Sequence, residues 1–302
     1  MWLGFQRENL RIVMLRKLQR TLNYLLAVFL ILLSGCDVAL EQQTGASDIV
    51  FPHHWVGDID KAGLNEPSGI CFHSPRGTLF VVGDEGYVYE IETNGKLVKQ
   101  KRFRNADFEG ITHDRSSGLL YIIVEGENLV IELNPETFEI LRKFQVPRVL
   151  EGETLLEQNG QGVEAITFVP DSNHAEGGTF FIVNQNFTVD NREYVSGIFE
   201  IELPLKSKDE KLHQGKLLSY FTPEVIDLSG LYYDHVTDHL YVISDVTNTI
   251  FEFDRSGTLI NAHAFPGDNQ EGITVDDNGF MYIAQDSGGI IKVKWKRNQK
   301  NM

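Results

Sequence analysis

The stretch Asp107-Phe108-Glu109-Gly110-Ile111-Thr112, an acidic turn that runs into an apolar segment, decides the fold because it recurs along the chain. A near copy stands at 269–274, and a third copy, at 162–167, keeps the Glu, a small residue and the Ile-Thr pair. Two looser copies, at 66–71 and 227–232, keep the glycine and an aliphatic residue but carry Ser in place of Glu. Five copies of one turn predict a repeat protein.

Short apolar segments typical of strands follow each turn. In the second unit we expect four strands, at Gly110–His113, Leu119–Val124, Asn128–Leu133 and Glu139–Val146. The aliphatic residue of the turn recurs after 41 residues from Ile70 to Ile111 and after 42 residues from Leu231 to Ile273. Four strands in about forty residues are one blade of a β-propeller.

The intervals on either side of Ile166 are longer, at 55 and 65 residues. We assign the excess to polar loops rich in Gly, Pro, Asn or Asp, at 147–161, 171–178, 186–195 and 204–215. A six-bladed count would need a hidden unit inside this long third repeat. The loops make that extra unit unnecessary.

The two ends of the repeat region complete each other. The last unit has three predicted strands, and a lone strand at His53–Ile59 precedes the first turn. Pairing this strand with the last unit closes the ring without a free blade edge. We therefore predict an all-β, five-bladed propeller over residues 49–296, with a polar C-terminal tail at 297–302.

The first 36 residues differ from the rest of the chain. Arg16, Lys17 and Arg20 precede an apolar run, which ends in Leu33-Ser34-Gly35-Cys36. This resembles a bacterial lipoprotein signal peptide, in which Cys36 becomes the acylated first residue. The alternative is an uncleaved N-terminal anchor helix. The charged region is long for a signal, so translation starting at Met14 instead of Met1 is a second open point.

Residues 37–48 are polar and small, and they read as a flexible tether. We expect the chain in the cell envelope, held to a membrane by the lipid on Cys36. Asp37 resembles the signal that retains lipoproteins at the inner membrane, so the periplasmic face of that membrane is the expected location.

The charge balance excludes one class of partner. The formal net charge is −16. Residues 1–35 hold five Arg or Lys and one Glu, which leaves 22 basic and 42 acidic side chains and a formal charge of −20 in the rest. Such a surface repels nucleic acid and attracts cations. Cys71 has no disulfide partner once Cys36 is acylated, and its apolar strand predicts a buried thiol.

A second column of polar residues closes the second strand of each unit. Its members are acidic in four units and Gln in one: Asp84, Glu125, Gln185, Asp245 and Asp286. Because adjacent strands are antiparallel, this column and the acidic turns lie at the same face of the ring. The first strand of a blade is innermost, so we expect Glu109, Glu164 and Glu271 around the channel mouth and the second column just behind them.

Carboxylates this crowded repel one another, and protons or a bound cation must relieve the repulsion. Oxygen ligands without nearby Cys or paired His favour Ca²⁺ or Mg²⁺ over Zn²⁺. The predicted calcium ligands are Glu109, Glu164 and Glu271, with backbone carbonyls and Gln185 completing the coordination. The alternative is that these Glu side chains only cap backbone amides of neighbouring blades.

The lipobox, the tether and the Glu-Gly-Ile turns, with strands such as Leu240-Tyr241-Val242-Ile243-Ser244-Asp245, resemble the SdiA-regulated family of bacterial lipoproteins, whose propellers are similar to NHL repeats. The resemblance covers essentially the whole mature chain. It implies a five-bladed propeller with a bound calcium ion and no established catalytic activity.

Two functions remain open at this point. The first is a calcium-binding module that presents a ligand-binding or protein-binding face, to which the loops at 147–161 and 186–195 would contribute. The second is a calcium-dependent hydrolase of the lactonase or phosphoesterase type, with Asp84, Asp245 or Asp286 as general base. The sequence favours binding, because His113, His235 and His239 are expected at the opposite face.

Overall fold

The computed structural model describes residues 47–60, 62–156, 162–189, 192–207 and 212–296. Within these ranges the chain forms 23 strands and no helix. None of the described segments is a helix with the length and apolar character of a membrane span. The predicted signal peptide with Cys36, the tether up to residue 46 and the tail at 297–302 lie outside the described residues.

Five four-stranded antiparallel blades follow one another along the chain, and the first strand of the chain, β1 (His53–Asp58), belongs to the last of them. The first two blades are β2 (Pro67–His73), β3 (Thr78–Gly83), β4 (Tyr87–Glu92) and β5 (Leu97–Arg102), then β6 (Phe108–His113), β7 (Leu120–Val124), β8 (Leu129–Leu133) and β9 (Ile140–Gln145). A two-strand hairpin of β10 (Val149–Leu150) and β11 (Glu153–Thr154) comes next.

The third blade consists of β12 (Val163–Pro170), β13 (Gly178–Val189), β14 (Arg192–Glu202) and β16 (Lys216–Phe221), with β15 (Leu212–Gln214) inserted before its last strand. The fourth blade consists of β17 (Leu228–Asp234), β18 (His239–Ser244), β19 (Thr249–Asp254) and β20 (Leu259–Ala264). The fifth consists of β21 (Gln270–Val275), β22 (Phe280–Gln285), β23 (Ile290–Trp295) and β1.

The ring closes as the sequence predicts. β1 pairs antiparallel with β23, with His53 opposite Trp295 and Asp58 opposite Ile291. The five-bladed prediction is therefore confirmed, and the long third repeat forms a single blade rather than two.

The long insertions are more ordered than expected. The predicted loop at 186–195 is wrong for 186–189 and 192–195, because β13 continues to Val189 and β14 starts at Arg192, with Phe187 opposite Val195. Residues 190–191 lie outside the described residues. Residues 186–189 alternate polar and apolar types and include two β-branched side chains, which suits a pleated hairpin. The insertion at 204–215 contains β15, which pairs in parallel with β9 and covers the outer edge of the second blade.

The core lies between the blades rather than in the channel. Each pair of facing blades encloses its own apolar cluster. Cys71 is buried in one of these clusters, as predicted, and burial raises the pKa of its thiol. Hydroxyl groups add a polar link between inner strands, since Thr112, Thr167 and Thr274 each accept a backbone N–H of the next blade.

The aliphatic residues of the five turns form one layer across the channel. Each is at least nine-tenths buried: Ile70, Ile111, Ile166, Leu231 and Ile273. They line a cavity of about 10 Å³ on one side and a separate cavity of about 70 Å³ on the other. The first is close to the smallest space that holds one water molecule. This aliphatic layer therefore divides the channel into two parts.

Candidate cation site at the channel mouth

A β-bulge positions the acidic residue of each turn. The pairing of the first strand with the second shifts register between Phe108 and Ile111, and again between Val163 and Ala165. The same shift occurs in the other three blades, at Ser68, Ser229 and the Glu271-Gly272 pair. A bulge re-aims its extra residue away from the strand alternation. The repeated turn thus directs one side chain per blade toward the channel mouth.

Backbone hydrogen bonds bring the second column to the same end of the ring. The N–H of Glu125 donates to the carbonyl of Asp107 at 3.0 Å. The N–H of Asp245 donates to Asp227 at 3.2 Å, and that of Asp286 to Asn269 at 2.9 Å. Each acceptor stands two residues before the bulged position, so the acidic turn and the second column are held side by side.

Three carboxylates at the junction of the first two blades come together. Asp84, Asp107 and Glu109 each offer a carboxylate oxygen, and these oxygens all lie within 4.8 Å of one another. The hydroxyl of Ser68 donates to Oδ1 of Asp84 and fixes that side chain. We call Asp84, Asp107 and Glu109 the acidic triad. Glu109 is only 9% exposed, so the triad is partly enclosed by protein.

Sequence reasoning missed one member of this triad. Asp84 and Glu109 were among the predicted site residues, whereas Asp107 was not. The signal was available, because Asp107 opens the repeated hexapeptide and Asp227 holds the same place in the fourth copy. The other two predicted calcium ligands, Glu164 and Glu271, come from the third and fifth blades and are not part of the triad.

Glu164 is the most informative residue of the channel mouth. It is 6% exposed, and its Oε1 is buried without a hydrogen-bond partner. Burial, followed by the charges of Glu125, Glu271 and Asp227, raises its pKa well above the ordinary value. Buried polar atoms are nearly always paired in proteins. This oxygen therefore does not cap a blade amide, and it is available to a proton or a cation.

Burial and neighbouring charges also raise the pKa of the surrounding carboxyl groups. Burial and the charges of Glu164 and Asp84 raise the pKa of Glu109 well above its ordinary value. Burial, then the charges of Asp245 and Asp227, raises the pKa of Glu271 to about 9. Burial and the neighbouring Glu125 raise the pKa of Asp107 to about 6. Without a cation, bound protons offset part of this repulsion.

Not every member of the second column is available for a cation. Oδ1 of Asp245 accepts the backbone N–H of Gln270 at 2.8 Å, so this residue does cap the neighbouring blade. Oε1 of Glu125 accepts the N–H of Gly162 at 3.4 Å. Gln185 lies in β13, and the described contacts involve its carbonyl, which accepts the hydroxyl of Ser196, rather than its amide. Oδ1 of Asp286, by contrast, is buried without a hydrogen-bond partner.

The other end of the channel has a different chemistry. The cavity of about 70 Å³ there is lined by His113, Arg115, Tyr232 and His235, among others, and none of the described residues that line it is a carboxylate. Burial lowers the pKa of His113 to about 3, so this imidazole is neutral at pH 7. Two of the histidines that the sequence assigned to this end thus lie far from the acidic triad in the fold.

Comparison with known proteins supports the architecture. A family model described as SdiA-regulated matches residues 57–287. A search of curated proteins found no match. Among solved structures, the chain is similar to the glutaminyl cyclase of Myxococcus xanthus, at 14% identity and a TM-score of 0.56, over 82% of this chain and 97% of that one. It is also similar to the Cps50 (Swd1) β-propeller domain of Myceliophteria thermophila, at 9% identity and a TM-score of 0.45, over 80% of this chain and 99% of that one. At 14% identity the likeness to the cyclase concerns the fold alone.

Proposed function

The chain belongs to the SdiA-regulated family, and on that premise we propose that it is a membrane-tethered, extracytoplasmic β-propeller that binds calcium at its acidic channel mouth. The face around this site then binds a ligand or a protein partner. The acidic triad supplies the first calcium ligands, and Glu164 and Glu271 supply further negative charge across the mouth.

The observation that supports this proposal is a cluster of carboxylates beside a buried, unpaired Glu oxygen at the channel mouth. Three carboxylate oxygens lie within 4.8 Å of one another, and a neighbouring Glu is buried with an unpaired oxygen. Carboxylates are hard ligands, and calcium accepts six to eight oxygens in flexible geometry. Neither Cys nor His belongs to the group, which argues against zinc. A bound calcium ion would offset the repulsion between these buried carboxylates.

The location rests on the N-terminal sequence. The lipobox ending in Cys36 supports acylation there, and Asp37 supports retention at the inner membrane. The propeller would then stand on the periplasmic face of that membrane. The formal charge of −16 supports a cationic or neutral partner for the acidic face rather than nucleic acid.

Calcium binding is the direct test. Titration of calcium into the chelator-treated full chain, followed by calorimetry, should show saturable binding. Glu109→Gln and Asp84→Asn should each weaken calcium binding by at least about tenfold, or about 1.4 kcal/mol. Each change replaces a charged carboxylate with a neutral amide of the same size. The matched control is Asp245→Asn. This residue holds the same place as Asp84 in the fourth blade but already caps Gln270.

Binding that survives both triad variants unchanged would exclude the acidic triad as the calcium site. A wild-type chain that takes up no calcium would exclude the calcium function as a whole. An equal loss in Asp245→Asn would show that the ring binds through its summed charge rather than through three defined ligands.

A calcium-dependent hydrolase is the second candidate. Asp286 favours it, because its Oδ1 is buried and unpaired and burial raises its pKa, as a general base near the site requires. The glutaminyl cyclase with a similar fold makes enzymatic propellers a reasonable comparison. The cation would polarise a substrate oxygen. With calcium present, we expect no turnover of lactones or phosphoesters. Turnover that disappears in Glu271→Gln would establish the enzyme instead.

A further inference from the structure

One part of the propeller rim exposes a group of apolar side chains. They belong to the segment before and within β1 and to β20, and each is between 43% and 67% exposed: Ile49, Val50, Trp55, Val56, Leu259 and Ile260. We call these six residues the rim patch. Residues 47–51 lie along the end of β20 and lead directly into β1, so the six residues belong to the outer edges of two neighbouring blades. Exposed apolar surface of this kind is typical of contact with another protein or with lipid.

The backbone explains why the first two residues of the patch point outward. The carbonyl of Ile49 accepts the N–H of Ala264, and the N–H of Phe51 donates to the carbonyl of Ala264, both at 2.8 Å. Ser47 adds a hydrogen bond from its hydroxyl to the carbonyl of Ala262. The segment thus runs beside β20 and covers the outer edge of the fourth blade. Phe51 is buried against Trp295, whereas Ile49 and Val50 stay in solvent.

The next two residues of the patch lie at a bulge in an outer strand. β1 shifts register against β23 between Trp55 and Gly57, and Val56 has no partner in β23. Both Trp55 and Val56 are exposed, at 56% and 51%. The contrast with Trp295, which is 9% exposed, shows that this chain buries a tryptophan where packing is available.

Charge distinguishes the rim patch from the other blade edges. Exposed aliphatic pairs also occur on β5 and β9, but Lys or Arg follows them directly on the same strand, at Lys99 and Arg142. Residues 49–56 and 259–264 contain no Lys, Arg, Asp or Glu. Two outer segments without charge, in a chain with a formal charge of −16, are suited to an uncharged apolar environment.

The chain outside the described residues ends at this rim. Ser47 is the first described residue, and only ten residues, 37–46, separate it from Cys36. Ten residues span at most about 35 Å when fully extended. A lipid on Cys36 would therefore keep the bilayer surface within about 35 Å of Ser47, which lies beside β20. Tryptophan is enriched at membrane interfaces, where its ring lies between headgroups and acyl chains.

From this placement we propose that the rim patch lies against the lipid surface and orients the propeller on its membrane. The inference rests on the proposed anchoring through Cys36. The lipid anchor supplies most of the affinity, and the six apolar side chains set which side of the propeller faces the bilayer. Apolar groups of this kind enter the boundary between headgroups and acyl chains by about 5–10 Å.

Fluorescence quenching tests the proposal. The full chain is isolated from bacterial membranes and placed in nanodiscs of phosphatidylcholine, with or without bromine on the acyl chains near the headgroup. The chain has three tryptophans. The difference between the wild type and Trp55→Phe isolates the Trp55 signal from that of Trp295, because Trp2 lies in the predicted signal peptide that precedes Cys36. We expect bromine to remove most of the Trp55 signal.

The variants separate the patch from the anchor. The double change Ile49→Ser with Leu259→Ser should reduce the quenching of Trp55. The control Val236→Ser changes an apolar side chain outside the patch that is as exposed as Trp55, at 56%, and it should not reduce the quenching. Vesicle flotation measures the anchor independently. A chain that floats while bromine leaves the Trp55 signal intact overturns the rim patch but not the anchoring. A chain that does not float overturns both.

Discussion

The calcium-free protein should lose stability as the pH rises from about 7 to about 9. The carboxyl of Glu271 has an ordinary pKa of 4.5, which burial and the neighbouring carboxylates raise to about 9 in the folded chain. Between these two values the folded chain keeps the proton and the unfolded chain has released it. Unfolding therefore releases a proton, and higher pH favours unfolding. The contribution of the Glu271 proton to the stability of the folded chain is complete below pH 4.5 and is lost as the pH rises through about 9.

The magnitude follows from the same linkage. One group that is protonated only in the folded state changes the free energy of unfolding by about 1.4 kcal/mol per pH unit. Over this range Glu271 alone would cost the folded state about 2–3 kcal/mol. Glu109 and Glu164 act in the same direction, since burial raises the pKa of both. The window lies above the ordinary pKa of His113, so this buried imidazole contributes little.

Urea unfolding of the chelator-treated chain, followed by circular dichroism at several pH values, measures this effect. Glu271→Gln should flatten the pH dependence, because the amide does not titrate. Glu136→Gln is the control, since the side chain of Glu136 is 69% exposed and lies away from the channel mouth. Calcium should restore stability at the upper end of the range. A urea midpoint that stays constant or rises with pH would contradict the raised pKa of these buried carboxyl groups.

Gly110→Ala should be among the most damaging single substitutions in the chain. A Cβ at Gly110 would lie 2.7 Å from the Cα of Ala165 and 2.7 Å from the N of Ile166, both backbone atoms of the next blade. Backbone atoms of a paired inner strand cannot rotate away as a side chain can. Relief requires the second and third blades to separate, which we expect to cost about 3 kcal/mol or more. The same movement would pull Glu109 away from Glu164.

The third blade supplies the matched control for this substitution. Ala165 stands where the other near copies have glycine, so a Cβ is already tolerated there. Ala165→Gly should cost only about 1 kcal/mol, through the added freedom of the unfolded chain. Urea midpoints and calcium titrations of both variants measure the two effects. Equal stability of Gly110→Ala and the wild type would show that the inner strands are less tightly fitted than their distances indicate.

The fold was largely predictable because the repeated unit carries it. The recurring turn sets the start of each inner strand, and a missing strand at one end matched a spare strand at the other, at His53–Asp58. The prediction failed at 186–195, where Asn, Asp and Arg indicate a loop. Cross-strand pairing of Phe187 with Val195 extends β13 to Val189 and brings the start of β14 to Arg192. Such pairing depends on the partner strand and not on local composition.

The site was predictable only in outline. Aligning the blades located both acidic columns, since strand direction alone decides which face they share. It did not reveal that Asp107 joins Asp84 and Glu109. That grouping depends on how the bulge turns each side chain and on how closely the first two blades approach. Likewise, the sequence does not distinguish Asp245, which caps Gln270, from Glu164, which has an unpaired oxygen.

The aliphatic layer separates the acidic mouth of the channel from the cavity at its other end, so the channel is open to the carboxylates from one side only. Ile70, Ile111, Ile166, Leu231 and Ile273 leave space for about one water molecule between the acidic mouth and the far cavity. An ion or ligand that reaches the carboxylates must therefore leave by the opening through which it came. If the mouth binds calcium as we propose, a partner that covered this opening would slow calcium exchange without contacting any ligand of the ion.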